Sequence, residues 1–485
     1  MRRTLVAFLA ITLALPVFAQ PPAAPPTPAS AAQPAIPVRV STRVELLSIV
    51  FQLAGAPEYN QLNAKSPYAQ RAQTYFRDFA GHEVVKLARQ YRKDHGVSYD
   101  AVMSYAVHLE DAAGAPLTPL KPKILFGFNP ERLDKRWNNE RADKFLEALN
   151  RFAEDSKAGK FFAENQALFD QAAANLSQRV NARPYRVWLD SFFGGKSTAT
   201  FTAFPGMLNG GANYGVGVRY ADGREEILPV IGVHKFDAAG IPVFEEADAP
   251  VIVHEFCHSF TNPLVDKNIK ELLPSFEKLF PLRAQLMRQQ AYASAKEMAY
   301  ETLVRAATVR YAVEKETPEA AAAQLADERA RGFLWTSELV DLMGVYQLQR
   351  DKHKTFESFM PEVVALMQKI AEKPADQTAK LPKIASVTPN VRGGRIDPAT
   401  TEIVFEFDRP MNPVGYSFVG ETKHMPKVTG KPWFSTDGKT FTLPVKLEPG
   451  KQYILRLNGL QSHGFTSADG YALDPMEFVF SAAAK

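Results

Sequence analysis

Residues 254–258 read His-Glu-Phe-Cys-His, two imidazoles four apart with a carboxylate between them. On a helix that spacing stacks both rings on one face, where they can grip one metal ion. Zinc lowers the pKa of a bound water toward neutrality, and Glu255 is placed to accept its proton during attack. A catalytic zinc takes three protein ligands and keeps one open position, so a third ligand must come from elsewhere. The histidine solution is closed locally: Leu264 stands six residues beyond His258, and Thr261 stands where the glycine of that pattern would be. A glutamate from a second helix is the other common solution. Glu301, 43 residues after His258, fits it; Glu297, one turn earlier on the same face, is the alternative, and Asp266 stands too close behind the first helix.

Hydrolysis also needs a donor to the tetrahedral oxyanion. Tyr300, Arg305, Tyr311, Tyr214 and His234 are the candidates. Arg305, one turn from Glu301, is equally placed to hold a carboxylate. Cys257 reads as a small buried packing residue rather than a thiolate ligand.

These side chains need a helix, and the flanks predict one. Asp248 is a candidate N-cap, Pro250 sits in the first turn, and Val251, Ile252, Val253 and Phe256 are apolar. Asn262-Pro263 is expected to end it, because proline disfavours helical geometry in the residue before it. Around this helix, residues 41–185 read mostly helical, with Val44, Leu47, Val50 and Phe51 on one stripe. Ser66-Pro67 opens a helix toward His82, Ser98 to Leu109 forms another, and 138–180 holds two more. His82, His95 and His108 in this region read as ordinary surface or core histidines.

Near Arg186 the period shifts toward 2, and Asp222-Gly223 is a two-residue hairpin signal between strands at 213–220 and 225–233. Pro229 demotes part of the second strand. The expectation is a small antiparallel sheet whose edge can pair with an extended peptide. Residues 263–290 read as a connection with some helical pattern, 291–315 as a helix, and Thr317-Pro318 as the start of another. Residues 373–382 are a polar, proline-bearing linker. Short strands punctuated by Asp437-Gly438, Pro449-Gly450 and Asp469-Gly470 then suggest a β-sandwich over 383–485.

The chain of 485 residues has room for two or three domains. Arg2 and Arg3, an apolar run from Leu5 to Leu15, and Val17-Phe18-Ala19 read as a signal peptide over 1–19. Residues 20–38 are a Pro/Ala-rich leader. Without Arg2 and Arg3, the 57 Lys and Arg become 55 against 53 Asp and Glu, a balance that implies no nucleic-acid partner. The single cysteine excludes an internal disulfide. No later run approaches the ~18 apolar residues of a membrane span. The expected location is periplasmic or secreted.

The stretches VELLSIVFQLAGAPEYN (44–60), VSYDAVMSYAVHL (97–109), VIVHEFCHSFTNP (251–263) and ETLVRAATVRY (301–311) together resemble a family of exported bacterial proteins. That family, domain of unknown function 4932, is regarded as zincin-like metallopeptidases. The resemblance spans roughly 40–370 and implies His254, His258 and Glu301 as zinc ligands and Glu255 as the base. IASVTPN (384–390), TEIVFEFDRPMN (401–412), LEPGKQYILRL (447–457) and ADGYALDP (468–475) resemble an SbsA-type bacterial immunoglobulin-like domain, which implies a spacer or an adhesive contact with the cell envelope.

The expected fold is therefore α+β: a mostly helical zincin-like metallopeptidase domain over 39–372 with a small antiparallel sheet, then an all-β immunoglobulin-like sandwich. The expected activity is zinc-dependent hydrolysis of a peptide or protein substrate. Two other readings compete with it: a non-catalytic envelope binding protein on the same fold, and a zinc hydrolase of a non-peptide amide or ester.

Overall fold

The computed structural model describes residues 35–62, 65–111, 117–195 and 198–484. The expected signal peptide and nearly all of the leader lie outside these residues. Folded chain begins inside the expected leader: Ile36 is buried, its N–H donates to Asn181, and Val38 bridges Ala203.

The architecture is α+β, mostly helical at first and β-rich toward the end. Ser41 caps the first helix, Thr42–Leu53, by accepting from the Val44 N–H, and Ser66 caps Pro67–Phe76 through the Ala69 N–H. The region 138–180 holds three helices rather than two: Asn139–Asp155, Ala158–Glu164 and Gln166–Val180. Lys157, at φ 52°, breaks the first from the second. Asn165 bonds back to the Phe161 carbonyl at the second break.

Strands do not begin at Arg186. Residues Tyr185–Phe193 are helical, because Tyr185, Trp188, Leu189 and Phe192 bury at helical spacing. The small sheet is mixed, not purely antiparallel. Glu225–Ile227 pairs antiparallel with Gly217–Arg219 across the predicted hairpin, but parallel with Thr200–Phe201. Pro229 has no N–H and divides the expected second strand. Beyond it, Val230–Gly232 pairs in parallel with Phe204–Gly206 as a separate two-stranded sheet.

The helix that carries His254 and His258, the candidate ligand helix, runs from Ala249 to Lys267 and continues through Pro263. Leu264 and Val265 are buried beyond the proline, and that burial offsets the missing backbone bond. The next segment is a full helix, Ile269–Gln289, rather than a loose connection. Its Pro274 and Pro281 lie on the solvent side, where freed carbonyls reach water, while Leu272, Phe276, Leu279 and Leu286 bury the other face. Helix Ala295–Lys315 packs along the ligand helix.

The expected linker is itself partly a helix, Pro374–Ala379, with Gln377 buried and Leu381 in the helical core. After it come two sheets. One orders Lys427–Val428, Thr440–Lys446, Glu402–Phe407 and Ile384–Thr388, with Trp433–Phe434 on Thr440–Lys446. The other orders Arg395–Ile396, Met476–Ala482, Gln452–Leu457 and Phe418–Val419. Phe405 and Phe478 meet between them at 5.7 Å, so the sheets share a core of their own.

Candidate metal centre

His254 and His258 project from one face of the ligand helix with ring centroids 4.8 Å apart. Glu301 arrives from Ala295–Lys315: its Oε2 is 3.5 Å from His254 Nε2 and its Oε1 is 3.6 Å from His258 Nε2. Their ligating atoms all lie within 4.8 Å of one another, so the group could hold a metal ion. Ligand atoms bound tetrahedrally at zinc distances sit ~3.4 Å apart, close to the two separations seen here. Glu255 joins the cluster, with Oε2 3.9 Å from His258 Nε2. Glu255 Oε2 is buried without a hydrogen bond from the described residues, while Glu301 Oε2 has the Arg305 guanidinium 3.1 Å away. A buried carboxylate oxygen without a hydrogen bond, beside two imidazoles and a second carboxylate, is what a cation would complete.

The electrostatics agree. Burial, then the neighbouring His258 and Arg305, hold the His254 imidazole well below its ordinary pKa, so it is neutral and able to ligate. Burial, then the Glu301 charge, push the Glu255 carboxyl well above its ordinary range, with Arg305 opposing. A divalent cation acts in the opposite direction on the carboxylate and favours its ionised form.

The supporting shell decides between the alternatives left by the sequence. Glu297 is occupied elsewhere: its Oε2 accepts from the Ser294 N–H at 2.8 Å, and the Ser294 hydroxyl accepts from the Glu297 N–H. It closes a capping box at the start of the helix, a signal already present in the sequence as Ser294-x-x-Glu297. Asp266 is likewise engaged, by Tyr300 and Lys296.

Arg305 is 6% exposed and holds carboxylates rather than waiting for a substrate. Its Nη2 is 3.1 Å from Glu301 Oε2, and its Nη1 donates to Glu328. Burial works against its charge, but Glu328, Tyr292 and Glu301 together hold its pKa well above the usual value. His258 Nδ1 is 3.2 Å from Asn262 Oδ1, a contact that fixes the ring and leaves Nε2 for a metal. Gly215 lies against the same helix so closely that a Cβ there would be 2.5 Å from the Glu255 carbonyl and 2.5 Å from His258 Cβ.

Most of the expected oxyanion donors are not brought to the ligands. Tyr300 donates to Asp266. Tyr311 packs between Tyr185 and Trp188, at 5.4 and 5.1 Å. The Tyr214 hydroxyl neighbours Tyr59. His234 is 3.8 Å from Asp248 with its ring more than half exposed. The phenol that does reach the cluster is Tyr292, whose Oη accepts from Arg305 Nη2 at 3.0 Å. Sequence reasoning missed it by placing it inside a helix over 291–315, whereas the helix starts at Ala295 and Tyr292 lies just before it. Cys257 sits in the hydrophobic core and outside the ligand group; burial, then Glu255, push its thiol pKa up.

Fold and site together define an α+β protein with a partly buried His-His-Glu group that could hold a metal ion. Residues 36–366 match the model of a domain of unknown function, DUF4932, and the chain belongs to that family. No curated protein matches it. Two solved chains are similar over much of its length. The S-layer protein rSbsC(31-844) is 13% identical over 83% of this chain, with a TM-score of 0.17. Surface layer protein SbsC, domains 1-6, is 12% identical over 82%, with a TM-score of 0.16. This chain spans 46% and 45% of those chains. At such TM-scores the likeness carries no argument about fold or function.

Proposed function

We propose that this protein is an exported zinc-dependent peptidase of the zincin-like, glutamate-ligand type, carrying a C-terminal immunoglobulin-like domain. The observation that carries the reading is the convergence of His254, His258 and Glu301, from two helices, around one point with Glu255 beside it. Two imidazoles and one carboxylate form a donor set that suits zinc and leaves room for a fourth ligand. A zinc ion bound there would polarise a carbonyl and make a water acidic near neutral pH.

The chain's own residues supply the rest. Glu255 takes a proton from the attacking water and delivers it to the leaving nitrogen. Asn262 orients His258, and Arg305 orients Glu301. Tyr292 accepts from Arg305 and hydrogen-bonds Glu301, so it helps to hold that carboxylate in place. Gly215 lets its backbone pack directly against the helix beside His258.

The test is Glu255→Gln, assayed for zinc content and for cleavage of a denatured-protein or peptide-library substrate. Retained zinc with hydrolysis reduced about 10²- to 10⁴-fold is expected for loss of a general base. Equal processing by wild type and variant would sink the peptidase reading and leave a binding protein.

A further inference from the structure

The helix that steadies the third ligand is also the helix on which the β-sandwich rests. Pro318–Ala330 ends in Asp327, Glu328 and Arg329, three successive residues that a helix points in different directions. Glu328 is buried and accepts from Arg305, which stands 3.1 Å from Glu301. Asp327 and Arg329 face the sandwich. His463 Nε2 is 3.4 Å from Asp327 Oδ1, and the Arg329 guanidinium lies 4.4 Å over the Tyr471 ring.

Tyr471 is only 7% exposed and belongs to the helical core rather than to the sandwich's own, and Leu460 packs against that same core. Asp474 forms a two-pronged pair with Arg283, whose side chain is buried. Gly332 follows at φ 105° and lies against Met287 and Arg283. Phe333 then donates its N–H to the Glu328 carbonyl and presents its ring 4.6 Å from the Arg305 guanidinium. The end of the helix is thus gripped on one side by the 460–474 loop and on the other by the network around Glu301.

We propose that the C-terminal sandwich is a working part of the metal centre: its 460–474 loop fixes the end of Pro318–Ala330 so that Glu328 shares Arg305 with Glu301. The sharing matters for charge. One guanidinium between two carboxylates leaves the trio at net −1, so Glu301 keeps negative charge to offer a cation. Without Glu328, or with its helix end displaced, Arg305 neutralises Glu301 alone and competes with the ion. Glu328 is a positioning residue, and Tyr471 and Asp474 act through it. The proposal rests on the metal-centre reading above.

The experiment uses the full chain, zinc affinity by competition with a chelating indicator, and the absorption spectrum of the cobalt(II)-loaded protein. Glu328→Gln is expected to weaken zinc by about 10- to 100-fold, as other residues that support metal ligands do, and to change the cobalt spectrum. The pair Tyr471→Ala with Asp474→Ala is expected to weaken it by about 2- to 30-fold, the range of coupling carried at a distance. Asp474→Asn keeps the volume and gives a milder version if the pair fails to fold by circular dichroism. Val414→Ala, at a 91% exposed site elsewhere on the sandwich, should change nothing. Folded interface variants with wild-type affinity and spectrum would overturn this proposal alone. A wild type that takes up no zinc would overturn the metal-centre reading and this proposal with it.

Discussion

Replacing Glu301 with Gln keeps the side chain's volume and removes the charge that completes the ligand set. The carboxylate oxygens are 3.5 and 3.6 Å from the two imidazole nitrogens, within a few tenths of an ångström of the ~3.4 Å expected between ligands on one tetrahedral ion. Little rearrangement is needed on binding, so the loss on removing this ligand should be close to its full worth. Altering groups behind a ligand costs about 10- to 100-fold; losing the charged ligand should exceed 100-fold, or about 2.7 kcal/mol.

Thermal unfolding makes this visible without a substrate. Zinc at 100 times its dissociation constant stabilises the folded state by about 2.7 kcal/mol. Unfolding entropy is about 2.1 cal/mol/K per residue, or ~0.7 kcal/mol/K over the roughly 330 residues of the matched region. The wild-type Tm should therefore rise by about 4 °C. At the same zinc concentration the variant gains at most about 0.4 kcal/mol, a shift under ~1 °C. Scanning calorimetry on chelator-stripped protein, with and without zinc, measures both. An equal rise in Glu301→Gln would refute the assignment of the third ligand.

Tyr292→Phe removes the phenol that pairs with Arg305 beside Glu301. It should weaken zinc by about 10- to 100-fold, as loss of a group that supports a metal ligand does; unchanged zinc affinity would refute a supporting role at Glu301. Gly215→Ala forces a methyl to within 2.5 Å of the Glu255 carbonyl and His258 Cβ. It should cost about 1–3 kcal/mol of stability and weaken zinc, and an unchanged Tm would disprove the close approach. Glu45 is fully buried, and burial pushes its carboxyl up to about 8, against the Tyr68 hydroxyl and the Met207 N–H, which pull it down. A pKa raised on folding gives stability that is whole below about 4.5 and lost as pH climbs through about 8. Glu45→Gln should match wild type near pH 5 and exceed it above pH 8 in denaturant midpoint; parallel pH profiles would contradict the sign.

Much of the site was legible because its signals are local. The spacing of His254 and His258 is one helical turn, so any helix over those residues must stack the rings. Ser294-x-x-Glu297 carried enough information to retire Glu297 as a ligand, since a capping box uses the glutamate on backbone N–H groups. Likewise Ser66-Pro67 and Thr317-Pro318 marked helix starts that the structure contains. Errors came where tertiary burial overrode a local rule. Pro263 did not end the ligand helix, because Leu264 and Val265 gain more by burial in the core than the helix loses at the proline. The expected antiparallel sheet became mixed because strand direction is set by how distant segments return, which no window of sequence reports.

The sequence by itself determined the chemistry available: two imidazoles and a carboxylate on one helix face, a short list of third ligands, and a helical part followed by a β part. The tertiary structure alone decided that Glu301 reaches both histidines, that Arg305 serves carboxylates, that Tyr292 stands beside Glu301, and that Tyr471 of the sandwich enters the helical core. The reason is physical. Helical periodicity fixes angles within one element, whereas a ligand set joins side chains from several, and only the packing of Ala295–Lys315 on Ala249–Lys267 brings Glu301 to His254 and His258.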